Sequence, residues 1–136
     1  MAMLRLIRRA CRDQRGSGTA ELVIVMPVLF LLFLSIVQFA LYMHAAHIAQ
    51  AAAAQALSTA RVAGGSAGAG TAAGQQVLAQ LGSGPLREPS VRAQRGADQA
   101  SVQVQGKAVS VIPFVTLAVH AEAVGPVEKF SPAVSP

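Results

Sequence analysis

The feature that most constrains this chain of 136 residues is an apolar run of 21 residues, from Leu22 to Tyr42, without a charged side chain. Ser35 and Gln38 are its only polar interruptions. As an α-helix this run rises about 30 Å at about 1.5 Å per residue, which matches the hydrocarbon thickness of a bilayer. The run therefore predicts a transmembrane helix. A secretory signal usually has a shorter apolar core, of about 7–15 residues, so the length favours a retained anchor over a cleaved signal.

A conventionally cleaved signal is the alternative, because small residues of the kind found at cleavage sites follow the run at Ala51-Ala52-Ala53. Pro27 lies near the start of the run and cannot donate a hydrogen bond to the carbonyl of Val23. This predicts either a kink or a proline that is simply tolerated near a helix end.

The net charge of +5 is concentrated before the apolar run. Residues 1–15 contain five arginines and one aspartate, whereas the other 121 residues carry six basic and five acidic side chains. Basic residues just before a span predict a cytoplasmic N-terminus. Because no basic stripe follows, we expect no nucleic-acid partner. The single cysteine, Cys11, lies in this basic leader and has no partner within the chain.

The helical signal continues beyond the apolar run. Residues 44–63 are dominated by alanine, so we predict one transmembrane and extended helix over 17–63, stopped by Gly64-Gly65. The glycine- and alanine-rich residues 64–74 are typical of a flexible linker. Residues 75–136 would then form a small α+β extracytoplasmic head that begins with a short helix over 75–81.

After Pro85 the apolar residues recur with a period of two, which predicts antiparallel strands. We predict strands at 101–105, 109–111 and 115–123, a weaker strand at 90–94, and a turn at Gly106-Lys107. The fold class is therefore α+β, with a long N-terminal transmembrane helix and a small antiparallel sheet as the head. With Phe114 and Phe130 as its only aromatic residues, this head has a marginal core, so we expect it to pack on the long helix or on other subunits.

No catalytic constellation is visible in the sequence, so we expect neither an enzyme nor a cofactor. His44 and His47 share a helix face, but no Cys, Asp or Glu close in sequence completes a metal site. We therefore expect no bound metal and interpret the two histidines as polar contacts at the membrane interface.

Glu21 is the exception among the charged residues. It borders the apolar run five residues after Gly16, and a carboxylate at the edge of a membrane span is costly and usually functional. If the chain is cut after Gly16, Ser17 gains a free α-amino group about one helical turn from Glu21. That amine, in the same or a neighbouring subunit, would pair with the carboxylate, and a pair between subunits would fix their axial register. The alternative is an acid that merely interacts with the helix macrodipole.

The residues around Glu21 resemble a known family. The run Arg15-Gly16-Ser17-Gly18-Thr19-Ala20-Glu21-Leu22, followed by Pro27, the apolar span and Gln38-Phe39, is similar to the N-terminus of TadE-like proteins. These are pilin-like (pseudopilin) proteins of the tight-adherence (Flp-type) pilus system. The resemblance continues at Ala60-Arg61 and returns at Gly125-Pro126-Val127-Glu128-Lys129-Phe130. It implies that a prepilin peptidase cleaves between Gly16 and Ser17, so that residues 1–16 are a leader and Glu21 is the fifth mature residue.

Two departures from the family pattern matter. Thr59-Ala60-Arg61 stands where members often have Gly-Ala-Arg, which argues against close glycine packing at that spot. Leu22 follows Glu21, where the major Flp pilin usually has a tyrosine, and a head follows the helix. The resemblance therefore implies a minor pseudopilin rather than the main filament subunit.

The implied function is assembly of a tight-adherence or type IV-like pilus, or of a secretion pseudopilus. The implied partners are the prepilin peptidase, other pilin or pseudopilin subunits, the pilus assembly platform and membrane lipid. The protein would be a single-pass plasma-membrane protein with an extracytoplasmic head, and it would enter a surface pilus. The alternative is a membrane-anchored or secreted extracytoplasmic binding domain with an ordinary export signal.

Overall fold

The computed structural model describes residues 17–81 and 84–131. These residues form two helices and three strands: α1 (Ser17–Arg61), α2 (Ala67–Leu81), β1 (Leu86–Arg95), β2 (Gln99–Ala108) and β3 (Leu117–Pro126). The strands form one antiparallel sheet in the order β1-β2-β3. This confirms the predicted α+β class. The predicted leader, residues 1–16, lies outside the described residues.

Helix α1 ends close to the predicted position. Its last residue is Arg61, and Gly64 adopts a φ of 80°, which side-chain-bearing residues rarely adopt. The N–H of Gly65 donates to the carbonyl of Val62 at 2.9 Å and closes the turn. The glycine pair therefore ends the helix by allowing the chain to reverse.

The chain divides into two compact units, one ending at Val37 and one beginning at Gln38. The first unit contains the N-terminal part of α1. The second contains the alanine-rich part of α1, together with α2 and the sheet. Its core combines alanines of α1 with three fully buried valines of the sheet, Val102, Val104 and Val119. The sheet thus packs on the long helix, as expected from its small content of large apolar residues.

The predicted linker over 64–74 is wrong for most of its length, because α2 already begins at Ala67. The reason is contact between the two helices. Gly70 and Gly74 are buried, and a Cβ atom added at Gly70 would stand 2.7 Å from the Cβ of Ala60. One added at Gly74 would stand 3.1 Å from the Cβ of Ala56. The glycines allow close backbone approach within a packed helix, whereas we interpreted them as sources of flexibility. The predicted helix over 75–81 is the second half of α2.

The predicted turn at Gly106-Lys107 is also wrong, since both residues lie within β2. Gly106 pairs with Val119 of β3, and a Cβ atom added at Gly106 would stand 2.7 Å from Cδ1 of Leu86. The glycine therefore leaves room for the buried Leu86 side chain, as glycine often does inside a strand. The segment 109–111, predicted as a strand, belongs to the loop that joins β2 to β3.

The other strands were predicted with shifted boundaries. The weak strand at 90–94 lies in the second half of β1, and the strand at 115–123 corresponds to β3, which begins at Leu117. On β3 the alternation places Val119 and Ala121 in the core and leaves His120 and Glu122 exposed. The period of two therefore identified the buried face of this strand.

Strand β1 carries a bulge between Arg87 and Ser90, where its register with β2 shifts. Glu88 lies in this bulge with a φ of 49°, in the left-handed region. The Nζ atom of Lys107 donates to Oε2 of Glu88 at 2.6 Å, and this hydrogen bond, with the lysine charge, lowers the pKa of the Glu88 carboxyl. The exposed pair thus links β1 to β2 beside the bulge.

The contact between α1 and α2 predicts opposite effects for two neighbouring glycines. Gly70→Ala should lower the free energy of unfolding by about 1–3 kcal/mol, because its new Cβ atom would collide with Ala60 and with the carbonyl of Ala56. Gly68→Ala, whose Cβ atom would meet nothing closer than Ser66 Oγ at 3.9 Å, should raise it by up to about 1 kcal/mol. Denaturation of the full chain in detergent, followed by circular dichroism, measures both. A stabilising Gly70→Ala would contradict the packing described.

Candidate membrane and assembly site

The N-terminal part of α1 exposes apolar side chains on every side of the helix. The large apolar residues that are at least half exposed are Leu22, Val23, Ile24, Met26, Val28, Leu29, Phe30, Leu31, Leu32, Phe33, Ile36 and Phe39. A helix that is apolar all round is stable in a membrane or in the core of a large assembly, and not in water. Among the described residues, α1 is the one helix long and apolar enough to span a bilayer. It fits a single-pass membrane anchor.

Glu21 lies at the beginning of this apolar surface, and its side chain is exposed. Ser17 is the first residue of α1, so it precedes Glu21 by about one turn, or about 6 Å along the axis. Ser17 and Glu21 are therefore one helical turn apart, as the sequence predicts. Gly16 lies outside the described residues, so the cut after it and the pairing of Glu21 with the resulting amine stay predictions.

The first polar interruption of the apolar run is satisfied within the helix itself. The hydroxyl of Ser35 donates to the carbonyl of Leu31, one turn earlier, at 2.7 Å. This local bond leaves no hydroxyl hydrogen without an acceptor, which makes the serine tolerable in hydrocarbon. Ser35 is thus compatible with the membrane span.

The second polar interruption, Gln38, is buried and holds the loop between β2 and β3. Its Nε2 atom donates to the carbonyl of Val109 at 3.1 Å. Its Oε1 atom accepts from the N–H of Val111 at 2.9 Å. The hydroxyl of Ser110 lies 3.2 Å from the same oxygen but is closer, at 2.7 Å, to the carbonyl of Ile112, which is its better acceptor. The amide therefore meets both a donor and an acceptor of one loop and fixes that loop beside α1. The sequence predicts no contact for Gln38, although an amide side chain inside an apolar run indicates a buried hydrogen-bond partner.

The histidines do not gather at this site. His44 and His47 are both exposed on α1, and His120 is exposed on β3. Within residues 17–81 and 84–131, no three His, Cys, Asp or Glu side chains lie close enough together to hold a metal ion.

The C-terminal end of α1 is closed by groups from the sheet. The guanidinium of Arg95 donates to the carbonyl of Ala60 and, at 2.9 Å, to that of Val62. The N–H of Glu128 donates to the carbonyl of Arg61 at 2.8 Å. Carbonyls at a helix end lack intrahelical partners, so these bonds satisfy them. The positive charge of Arg95 also interacts favourably with the C-terminal end of the helix dipole.

The two outlying segments of the sequence resemblance, Ala60-Arg61 and residues 125–130, lie together at this end. The side chains of Arg61 and Glu128 form an ion pair at 3.8 Å, and a Cβ atom on Gly125 would stand 3.6 Å from Nη1 of Arg61. Next to them, Lys129 pairs with Asp98 in the turn between β1 and β2. These contacts join the end of the sheet to the end of α1.

The family model described as TadE-like protein matches residues 16–57. The match begins at Gly16, includes Glu21 and the whole apolar run, and ends within the alanine-rich part of α1. The resemblance to TadE-like proteins is therefore confirmed for this segment. It does not extend to α2, to the sheet or to residues 125–130. No curated protein and no solved structure matches the chain.

The hydrogen bonds of Gln38 predict that its amide holds the loop in place. Gln38→Met keeps the length of the side chain but should speed exchange of the Val111 amide hydrogen and lower the free energy of unfolding by about 1–3 kcal/mol. Gln50→Met, at an exposed position of the same helix, is the matched control and should change neither quantity. Hydrogen exchange of the full chain in detergent measures the effect. Unchanged exchange in the Gln38 variant would contradict it.

Proposed function

We propose that this chain, whose residues 16–57 are those of a TadE-like protein, is a minor pilin-like subunit that takes part in assembling a tight-adherence or type IV-like pilus, or a secretion pseudopilus. A prepilin peptidase would remove residues 1–16. The observation that carries the proposal is the coincidence of the family match with a helix that is apolar on all sides over residues 22–37.

The exposed apolar surface of α1 suits two successive environments. Before assembly, lipid would surround residues 22–37, because a helix satisfies its own backbone polar groups in hydrocarbon. In a filament, the same surface would pack against the helices of neighbouring pilin or pseudopilin subunits, which are equally apolar. Transfer between two apolar environments costs little free energy, so an assembly platform could extract the subunit from the membrane.

Glu21 would set the axial register between neighbouring subunits when a subunit passes from the membrane into the filament. A carboxylate among apolar helices is destabilising unless a cation approaches it, and the α-amino group created at Ser17 would be such a cation. Between neighbouring subunits, only the correct axial offset would bring the two groups together. The exposed position of Glu21 at the start of the apolar surface supports this role.

The head would make binding contacts and would not catalyse a reaction. We therefore propose that the protein is not an enzyme. The core of the head is shared with the alanine-rich part of α1, from Ala45 onwards, so this part of the helix belongs to the head. The arginines of the leader would hold the N-terminus in the cytoplasm and place the head outside the cell.

Mapping of the mature N-terminus by mass spectrometry tests the processing step. In cells that contain the prepilin peptidase, the purified protein should begin at Ser17, and it should keep its leader when the peptidase is absent. Gly16→Val should block the cut, because the new side chain would not fit a site that accepts glycine. Gly18→Ala, at a position where a Cβ atom meets nothing within 4 Å, should be cut normally. A mature start near 51–54 would instead indicate an ordinary export signal and a secreted binding domain.

Substitution of Glu21 tests the register. Glu21→Gln should leave cleavage intact but reduce incorporation into extracellular filaments at least about tenfold, since a lost pair in apolar surroundings costs more than about 1.4 kcal/mol. Glu122→Gln, at an exposed position on β3, should assemble normally. Quantitative immunoblotting of sheared surface material measures incorporation. Equal incorporation of the two variants would leave Glu21 with only its interaction with the helix dipole.

A further inference from the structure

We propose that the loop between β2 and β3 inserts its apolar tip, residues 111–115, into the outer boundary of the lipid bilayer beside α1. The partner is thus a lipid surface that contains anionic phosphate headgroups. The inference rests on the proposed function only in requiring that α1 spans a membrane. It does not require cleavage or filament assembly.

The tip of this loop is apolar and exposed. Its sequence is Val-Ile-Pro-Phe-Val, and the Phe114 side chain is fully exposed, with Val111 and Val115 exposed to more than a third. Single apolar residues are common on protein surfaces, but a run of five at the tip of one loop is not. Such a tip is stabilised when a lipid or protein surface covers it.

The backbone at Phe114 argues against an incidental exposure. Its φ is 66°, in the left-handed region that bulky residues rarely adopt. The conformation costs free energy, and the exposed ring has no burial within the head to offset that cost. Strain of this kind persists where the displayed side chain has a use. The turn is closed by the N–H of Val115, which donates to the carbonyl of Ile112.

Gln38 sets the depth of the loop along α1. Its amide bonds to the backbone of Val109 and Val111, so the base of the loop lies at the level of Gln38. Gln38 is four residues, or about 6 Å, inside the outer end of the predicted span over residues 22–42. The loop therefore lies at the depth where hydrocarbon meets the headgroups.

The length of α1 that the head leaves uncovered indicates the same depth for the loop. From Leu22 to Val37 the helix rises about 24 Å, which is about 6 Å less than the hydrocarbon thickness of a bilayer. From Gln38 onwards, residues of the head bury parts of α1. A span that ended at Gln38 would thus be shorter than the hydrocarbon layer, and an apolar loop bonded to Gln38 can enter the hydrocarbon boundary at little cost.

Cations at the same end of the sheet favour lipid over another protein as the occupant. Arg87 and Lys107 are register partners on β1 and β2, and both are exposed. With Ser110 and Thr116 they line a groove of about 390 Å³ beside the loop. Glu88 pairs with Lys107, so the groove contains two positive charges and one negative charge. A positive margin around an apolar tip matches the anionic surface of a membrane.

The chain contains no tryptophan, so each single tryptophan variant gives an unambiguous fluorescence signal. Three such variants of the full chain, F114W, F130W and F30W, would be reconstituted into phosphatidylcholine–phosphatidylglycerol vesicles with and without brominated acyl chains. F130W is the matched control, because Phe130 is also an exposed aromatic residue but follows Val127, whose N–H donates to Asp98 in the turn at the other end of the sheet. F30W reports on the span itself.

Brominated lipid should quench F114W and F30W at least about twofold and leave F130W unchanged, because only groups near the acyl chains meet the quencher. Iodide in the water should quench F130W more strongly than F114W. An F114W signal that behaves like F130W would overturn the inference. An F114W signal that resists both quenchers would also overturn it, in favour of a protein surface that covers the loop. If brominated lipid does not quench F30W, α1 does not span the bilayer and the proposed function is contradicted. If it quenches F30W but not F114W, only the inference about the loop is contradicted.

Discussion

Close packing on the alanine-rich part of α1 is the constraint on which the rest of the second unit depends. The buried residues of this helix are almost all alanine, from Ala45 to Ala60, and α2 approaches them through two buried glycines. At Gly70 and Gly74 the backbones therefore come close together, and Ile48, Leu78 and the valines of the sheet complete the core. The head has no large aromatic core of its own. It therefore needs the alanine-rich part of the helix for its stability.

Two polar side chains hold the packed part of α1 near its ends. Gln38 binds the loop between β2 and β3 where the head begins, and Arg95 binds the last carbonyls of the helix. Both side chains bond to backbone groups that would otherwise lack partners in a partly buried setting. This arrangement ties each end of the sheet to a defined level of the helix. Under the proposed function such levels are depths in the membrane, and the hydrogen bonds of Gln38 hold the loop that we propose to meet the lipid.

The long helix and the alternation of the strands could be predicted from the sequence, because both depend on neighbours along the chain. Apolar length identified the span, alanine content extended the helix, and the period of two identified the buried face of β3. The mistakes arose at glycines. Residues 67–74 and Gly106 have low helix or strand propensity, so we predicted a linker and a turn. In the fold, Gly70, Gly74 and Gly106 lie where a neighbouring chain segment leaves no space for a Cβ atom, and that contact outweighs propensity.

The sequence by itself determined the apolar span, the position of Glu21 five residues after Gly16 and the family resemblance that residues 16–57 bear out. These features are local, since composition and spacing act over a few helical turns. Only the tertiary structure decided that Gln38 binds residues 109–111, about seventy positions away, and that Arg61 meets Glu128. It also decided that Phe114 is displayed to the outside. Contacts between distant positions depend on how helix and sheet pack, and no local pattern encodes which surface is left uncovered.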